Sequence, residues 1–566
     1  MPYLLIALAA LGAIIVASVF SRRTGLAAPL LLVLIGIGGS YLPGVPHIEV
    51  EPELVLAGVL PPLLYASSVR LPGIDFRRNV KMIAWLSIVL VVVSALAVGL
   101  IVHLIFPQIS FPLAVALGAV VSPTDAVAAT AIGKRLGLPH RLMTVLEGES
   151  LVNDASALVV LRTAVAATAG AFSLWHAVGE FVLAVVIAAA VGFVVGWLTV
   201  LLRAKLDDPV LNSAVSFTVP FIAYFPTEEL NASGVLAVVV AGLVTGNAGV
   251  KRFSARDRQT ESTNWATISF VLESGLFLLM GLQLPGLVRS LDEGSSPGMV
   301  AGATGVTLVV IIVLRAVWVA FPQLLARGRP AKSARIREQL DQVSERIDQA
   351  DPETDREQNR LDWMRRRVAR GNADVDFLDA QPITRRGSLV LGWAGMRGAI
   401  TVAAAQTIPE DVPLRSTAVL IAFIVAVITL IGFGGTLPWV IRKLDLEEVS
   451  AHDKRAEVTS LMRSMLDTVT EALGPIAEQT VDGEPIDPEI ADRMVNRLAP
   501  MFAEPPDPAL QPSPAHRQQA QVLMRRYLDA MRDALQAEQS IGAYRTETFT
   551  QVRKLLDSME YRLDGG

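Results

Sequence analysis

Repeated apolar runs of about 20 residues constrain this chain more than any other feature it carries. The first is Leu4–Phe20, and others follow at 26–42, 52–69, 82–106, 111–133, 142–168, 177–202, 208–225, 231–247, 265–287, 298–326, 387–408 and 414–441. At 1.5 Å of rise per residue each can cross a hydrocarbon layer as a helix. A chain with about thirteen such runs is expected to be an all-α polytopic membrane protein with the lipid bilayer as its surroundings. Composition agrees: 52% of the residues are hydrophobic and 18% charged, against about 25% charged in a soluble domain. A soluble enzyme, a fibrous protein and a disordered chain are thereby excluded. Cysteine is absent, which excludes disulfides, thiolate nucleophiles and cysteine-ligated metal centres. No HExxH or other clustered ligand spacing occurs, so neither a resident cofactor nor enzyme chemistry is expected, and nothing points to nucleic acid.

The loop charges give a topology. Arg22 and Arg23 follow the first run, Arg70, Arg77, Arg78 and Lys81 the third, Lys134, Arg135 and Arg141 the fifth, and Arg203 and Lys205 the seventh. Lys251, Arg252, Arg256 and Arg258 follow the ninth, Arg327 and Arg329 the eleventh, and Arg442 and Lys443 the thirteenth. The intervening loops, such as Pro43–Pro52 and Phe225–Asn231, are poor in basic residues. Basic loops stay cytoplasmic, so the N-terminus is expected outside and the C-terminus inside. The first run lacks a basic leader, and the arginines after it have the wrong polarity for a cleaved signal.

Two segments are expected to be cytoplasmic. A charged helical insert at 328–386 carries Ile336, Leu340, Val343 and Ile347 at helical spacing within the membrane domain 1–444. The segment 445–566 has 13 basic and 22 acidic residues, a Pro-rich break around Glu504–Pro514, and apolar stripes at Leu461, Met465 and Val469 and at Leu523, Leu528, Met531 and Leu535. It is expected to be a mostly helical, solvated cytoplasmic domain of unassigned role, with regulation through an unnamed ligand as the alternative.

Ionisable groups inside a membrane are costly and mark function by default. The fifth run reads LGAVVSPTDAVAATAIG. Pro123 removes a backbone donor there and should break the helix, freeing carbonyls near Val121 and Ser122 beside Thr124 and Asp125. Asp125 either caps the second half-helix or contacts an ion; the two roles are compatible. The sixth run reads EGESLVNDASALVVL, and helical spacing puts Glu147, Ser150 and Asp154 on one face and Glu149 and Asn153 on another. The Asp154 carboxylate with the Ser150 and Thr124 hydroxyls and a freed carbonyl would supply oxygen ligands to a monovalent cation, as hard ions require. The twelfth run, LGWAGMRGAITVAAA, has glycines around Arg397 and a second expected break. Broken helices in corresponding positions of oppositely oriented halves are the pattern of inverted repeats with a midplane site. Arg397 needs a buried partner, and Glu149 is the candidate, as a structural ion pair. Glu273 and Arg315 are secondary candidates, read first as structural pairs or caps.

The stretch SPTDAVAATAIGKRLGLPHRLMTVLEGESLVNDASALVV closely resembles the signature region of the sodium/proton exchangers of the cation:proton antiporter-1 family. SGVLAVVVAGLVTGN, FVLESGLFLLMGLQLP and LGWAGMRGAITVAAAQTIP resemble that family in the same order, and the likeness spans about residues 1–444. The resemblance implies a thirteen-helix antiporter fold, a homodimer in a bacterial cell membrane, and elevator-like movement of a core bundle against a scaffold. It implies that Asp154 binds sodium or a proton, that Thr124, Asp125, Ser150 and Asn153 form or support the site, and that Glu149 and Arg397 pair. The Asn153–Asp154 pair is similar to that of electroneutral members. Where some members carry an acid on the third helix, this chain has Tyr65, Ala66 and Ser67.

The expected function is antiport of protons against sodium, with potassium or lithium as alternative cargo, through competition for Asp154. Potassium/proton exchange, a passive cation channel and a membrane-embedded hydrolase are the other readings. A channel would conduct without proton coupling, and the hydrolase has no Ser/His pair or metal cluster to support it.

Overall fold

The computed structural model describes residues 2–24, 26–42, 51–168, 174–206, 208–250, 252–291, 296–324, 329–350, 354–446, 451–474, 478–481, 484–485 and 514–564. The Glu504–Pro514 break lies, through residue 513, outside the described residues, as do 43–50 in the second loop and 325–328 at the start of the insert. The chain divides into two compact units, one of residues 1–327 with 383–448 and one of 328–382 with 449–566.

The first unit is helical throughout its described residues. Eight of its helices are each long and apolar enough to cross a membrane: Ile6–Thr24, Gly73–Ile105, His140–Thr168, Phe181–Arg203, Pro209–Glu229, Arg256–Arg289, Pro297–Phe321 and Arg415–Leu444. Ala28–Ser40, Leu54–Arg70, Phe111–Val121 and Gly234–Gly249 are apolar but shorter. The remaining expected crossings are cut into half-helices, Phe111–Val121 with Ala126–Arg135 and Arg385–Trp393 with Ala399–Gln406. The helix expected at 82–106 begins earlier, at Gly73. Its first turns are amphipathic rather than apolar, so hydropathy alone misses them: Asp75 and Asn79 are buried while Arg77 and Lys81 face out.

Two apolar clusters fill this unit. One contains Leu60, Val120, Leu158, Leu161 and Ala404. The other contains Leu63, Ala128, Leu276, Met396 and Ala399. The two helix breaks lie where these clusters meet.

The insert and the C-terminal segment, read from sequence as separate pieces, cluster into the second unit. Arg329–Asp348 and Asp355–Ala380 form a hairpin over Ile347, Leu361 and Val368. Ile336 and Val343 of the expected stripe stay exposed, although the partner helix runs the length of that helix, from Ser333 and Arg337 beside Asp376 and Asp379 to Ile347 beside Leu361. Ala451–Leu473, Pro514–Ile541 and Thr546–Asp564 pack around Leu461, Met465, Met531 and Val552, all 0% exposed. The expected stripes at Leu461, Met465 and Val469 and at Leu523, Leu528, Met531 and Leu535 are all in that core. Arg532 ties the last two helices through Glu560 and Asp557. A two-residue antiparallel ladder, Thr480 with Pro485 and Val481 with Glu484, departs from the all-α expectation.

Candidate ion-binding site

The site is built where two interrupted helices touch. Phe111–Val121 ends before Pro123, and Ala126–Arg135 begins after Asp125. Proline cannot donate to the turn behind it and its ring crowds that turn, which favours an interruption here, although the helix Pro209–Glu229 continues through Pro220. Asp125 caps the second half-helix, its Oδ1 accepting the Val127 amide at 2.7 Å. The other interruption spans Gly395–Gly398. There a Cβ on Gly398 would collide with the Asp125 carboxylate, so only glycine lets the two chains approach this closely.

Main-chain bonds cross between the breaks. The Asp125 amide donates to the Met396 carbonyl at 2.8 Å. Arg397 Nε donates to the Val121 carbonyl at 2.7 Å, and its Nη1 donates to the Gly395 carbonyl. The carbonyl of Val121, expected to be free for an ion, is therefore taken by Arg397. The last carbonyls of a helix have no partner of their own and carry partial negative charge, which a buried guanidinium neutralises.

Glu149 has a different partner from the one expected. Arg315 grips its carboxylate with both terminal nitrogens, Nη1 to Oε1 at 2.6 Å and Nη2 to Oε2 at 3.3 Å. Arg315 also caps the half-helix Arg385–Trp393, donating to the Leu391 and Gly392 carbonyls at 2.8 and 3.2 Å. Thus each first half-helix ends on a buried arginine, Arg397 for one and Arg315 for the other. Sequence periodicity gives the face of Glu149 but does not choose between two buried arginines on other helices. From Glu149 a polar chain continues: Thr124 Oγ1 donates to its Oε1 at 3.0 Å, and Asn153 Nδ2 donates to Thr124 Oγ1 at 3.1 Å.

Asp154 lies beside this chain and is 6% exposed. It borders a cavity of about 430 Å³ that Thr124, Asp125, Ser150, Glu273 and Ser67 also line. Glu147, Ser150 and Asp154 face this cavity, whereas Glu149 and Asn153 do not line it. The cavity reaches the surface at Lys134, whose Nζ pairs with Glu147 at 2.9 Å. Beyond Asp154, away from that mouth, lies a second space of only about 10 Å³ walled by Val120, Ala157, Leu158, Leu161, Ile400 and Ala404. It holds about one water at most. Asp154 thus stands where a large cavity with both polar and apolar walls adjoins a small space with mainly apolar walls. Among the described residues no group of three or more His, Asp or Glu could hold a metal ion.

Residues 6–443 match the family model described as sodium/hydrogen exchanger, transmembrane. A Na(+)/H(+) exchanger of Mycobacterium bovis is 30% identical over 83% of this chain and 81% of its own. The Na(+)/H(+) exchanger YjcE of Escherichia coli is 29% identical over 80% and 79%. A sodium, potassium, lithium and rubidium/H(+) antiporter of Bacillus pumilus is 29% identical over 79% of this chain and 62% of its own. The solved sodium proton antiporter MjNhaP1 of Methanocaldococcus jannaschii shares the fold at a TM-score of 0.56, with 16% identity over 78% of this chain and 99% of that one.

Proposed function

Since the chain belongs to the sodium/hydrogen exchanger family of cation/proton antiporters, we propose that it exchanges protons for sodium at Asp154 by alternating access. The observation that carries this reading is the position of Asp154 at the junction of the large cavity and the small apolar space. A proton or a cation neutralises the carboxylate, and a neutral carrier crosses an apolar barrier far more cheaply than a charged one. The empty, ionised form stays behind, which couples the two fluxes. With one carboxylate carrying one load, a proton in exchange for one sodium moves no net charge, so exchange is electroneutral.

Ser150 and Asp125 contribute oxygens from the cavity wall beside Asp154. Thr124 and Asn153 support the site through the chain anchored on Glu149, a structural rather than transporting role. Glu273 adds a further carboxylate to the open cavity, where it concentrates cations near the mouth. In this reading all thirteen apolar runs cross the membrane, including the short and broken ones, as two inverted repeats. The N-terminus is outside, and the cavity mouth at Lys134 faces the cytoplasm. The protein is a homodimer in which the broken-helix bundle moves as an elevator, and the second unit is a cytoplasmic regulator. Potassium or lithium as cargo is the second reading, supported by the broad cation range in the name of the Bacillus pumilus relative.

The test is the internal pH change of inverted vesicles on adding sodium, potassium or lithium in turn, with the membrane voltage clamped. Asp154→Asn should abolish the response to every cation. Robust exchange by that variant would refute the assignment.

A further inference from the structure

Four residues border both the large cavity and the small space: Pro123, Asp154, Ile400 and Thr401. Only Asp154 and Thr401 among them carry polar side chains. Thr401 is 3% exposed. Buried hydroxyls normally find a partner, and some threonines in the helices of this unit donate to the carbonyl one turn back, as Thr163 does to Val159 at 3.0 Å and Thr227 to Ala223 at 2.7 Å, whereas the buried hydroxyls of Thr245, Thr304 and Thr307 have no partner among the described residues. Thr401 has no such bond among the described residues. The cause is local. It lies in the first turn of Ala399–Gln406, and the residue one turn back is Arg397, inside the break rather than in a helix.

A hydroxyl offers two acceptor lone pairs and one donor. It can therefore face a cation with its oxygen or a protonated carboxyl with either role. Bordering both spaces, the hydroxyl stands beside Asp154 whichever of them an ion enters from. We infer that the Thr401 hydroxyl is a cation ligand beside Asp154, contributed by the second broken segment and retained in both access states. This deepens the proposed function and rests on Asp154 as the load-bearing carboxylate.

The experiment measures sodium-driven proton flux in vesicles of the full chain, as a function of sodium and of pH. Thr401→Val keeps the shape and removes the oxygen. It should raise half-saturating sodium by about tenfold, the order expected when a charged group loses one polar partner. Because sodium and protons compete, the acid limb of its pH profile at fixed sodium should move up by about one unit. Thr401→Ser, which restores the oxygen, should recover most of the affinity. Thr401→Ala and sodium-dependent thermal stabilisation in detergent supply the same comparison if the valine variant inserts poorly. Half-saturation unchanged from wild type in the valine or alanine variant overturns the inference, as does a serine variant as weak as valine. Asp154→Asn in the same vesicles separates the two ideas: exchange surviving there sinks the underlying reading, whereas its loss alongside an unaltered Thr401→Val sinks only this one.

Discussion

Arg162 pairs with Glu228 at 2.5 Å across two helices of the membrane unit. Arg162 is eight residues beyond Asp154 on the same helix, about 12 Å along its axis, past the Leu158 and Leu161 of the small apolar space. Glu228 ends Pro209–Glu229 and accepts the Gly234 amide of the next helix at 2.8 Å. The pair therefore ties the far end of the Asp154 helix to the helices Pro209–Glu229 and Gly234–Gly249. The Arg162 side chain is 52% exposed, so its contribution is about 1 kcal/mol at most. Arg162→Ala should bias the protein toward the alternate access state by up to about fivefold. Native cysteine is absent, so Leu161→Cys gives a clean reporter. Its labelling by an impermeant maleimide from the side opposite the cavity should quicken severalfold when Arg162→Ala is added. An unaltered rate would remove the pair from the access equilibrium.

Arg315 supports Glu149 and two carbonyls at once. Arg315→Ala leaves a buried carboxylate and the end of a half-helix without their cation, a loss of about 3–5 kcal/mol. A large drop in the melting temperature of the detergent-solubilised protein should report it. Arg315→Lys should rescue little, because an ammonium cannot reproduce the planar fork that serves all these acceptors. Full rescue by lysine would show that charge alone suffices.

Gly398→Ala tests the approach of the two breaks. Its methyl group would strike the Asp125 carboxylate, displacing the cap on Val127. Exchange should fall at least tenfold, while overpacking costs about 1–3 kcal/mol of stability. Wild-type flux from a correctly inserted Gly398→Ala protein would contradict the geometry.

Sharing one carboxylate between proton and cation fixes a pH dependence without reference to any particular residue's titration. Half-saturating sodium should fall as pH rises, by up to about tenfold per unit while protons compete, and then level off. Maximal flux at saturating sodium should change much less. Sodium affinity independent of pH over the working range would mean separate sites.

Some of this site was legible in the sequence because its cause is local. Pro123 followed by the capping Asp125 marks the break, whereas Pro220 and Pro438 lie inside helices that continue, and periodicity separates the Ser150–Asp154 face from the Glu149–Asn153 face. Partners were not legible, because they come from distant helices. Arg397 and Arg315 look alike as lone arginines in apolar runs, and only packing assigns Val121 to one and Glu149 to the other. Thr401 passed unnoticed for a related reason. In GAITVAAA it reads as an ordinary helical threonine, and its missing back-bond follows from a break whose position sequence gives only to within a few residues. In the insert, the stripe Ile336, Leu340, Val343 and Ile347 overstated burial because a two-helix hairpin covers only a narrow face, which leaves Ile336 and Val343 exposed.

The crossed bonds from Asp125 to Met396 and from Arg397 to Val121 bear on how the cargo can be carried. Neither interrupted strand can slip along the other without stranding a main-chain group far from water, at several kcal/mol apiece. The two kinks are consequently indivisible. In the exchange proposed above, whatever travels takes both together, leaving the surrounding helices to supply the relative motion.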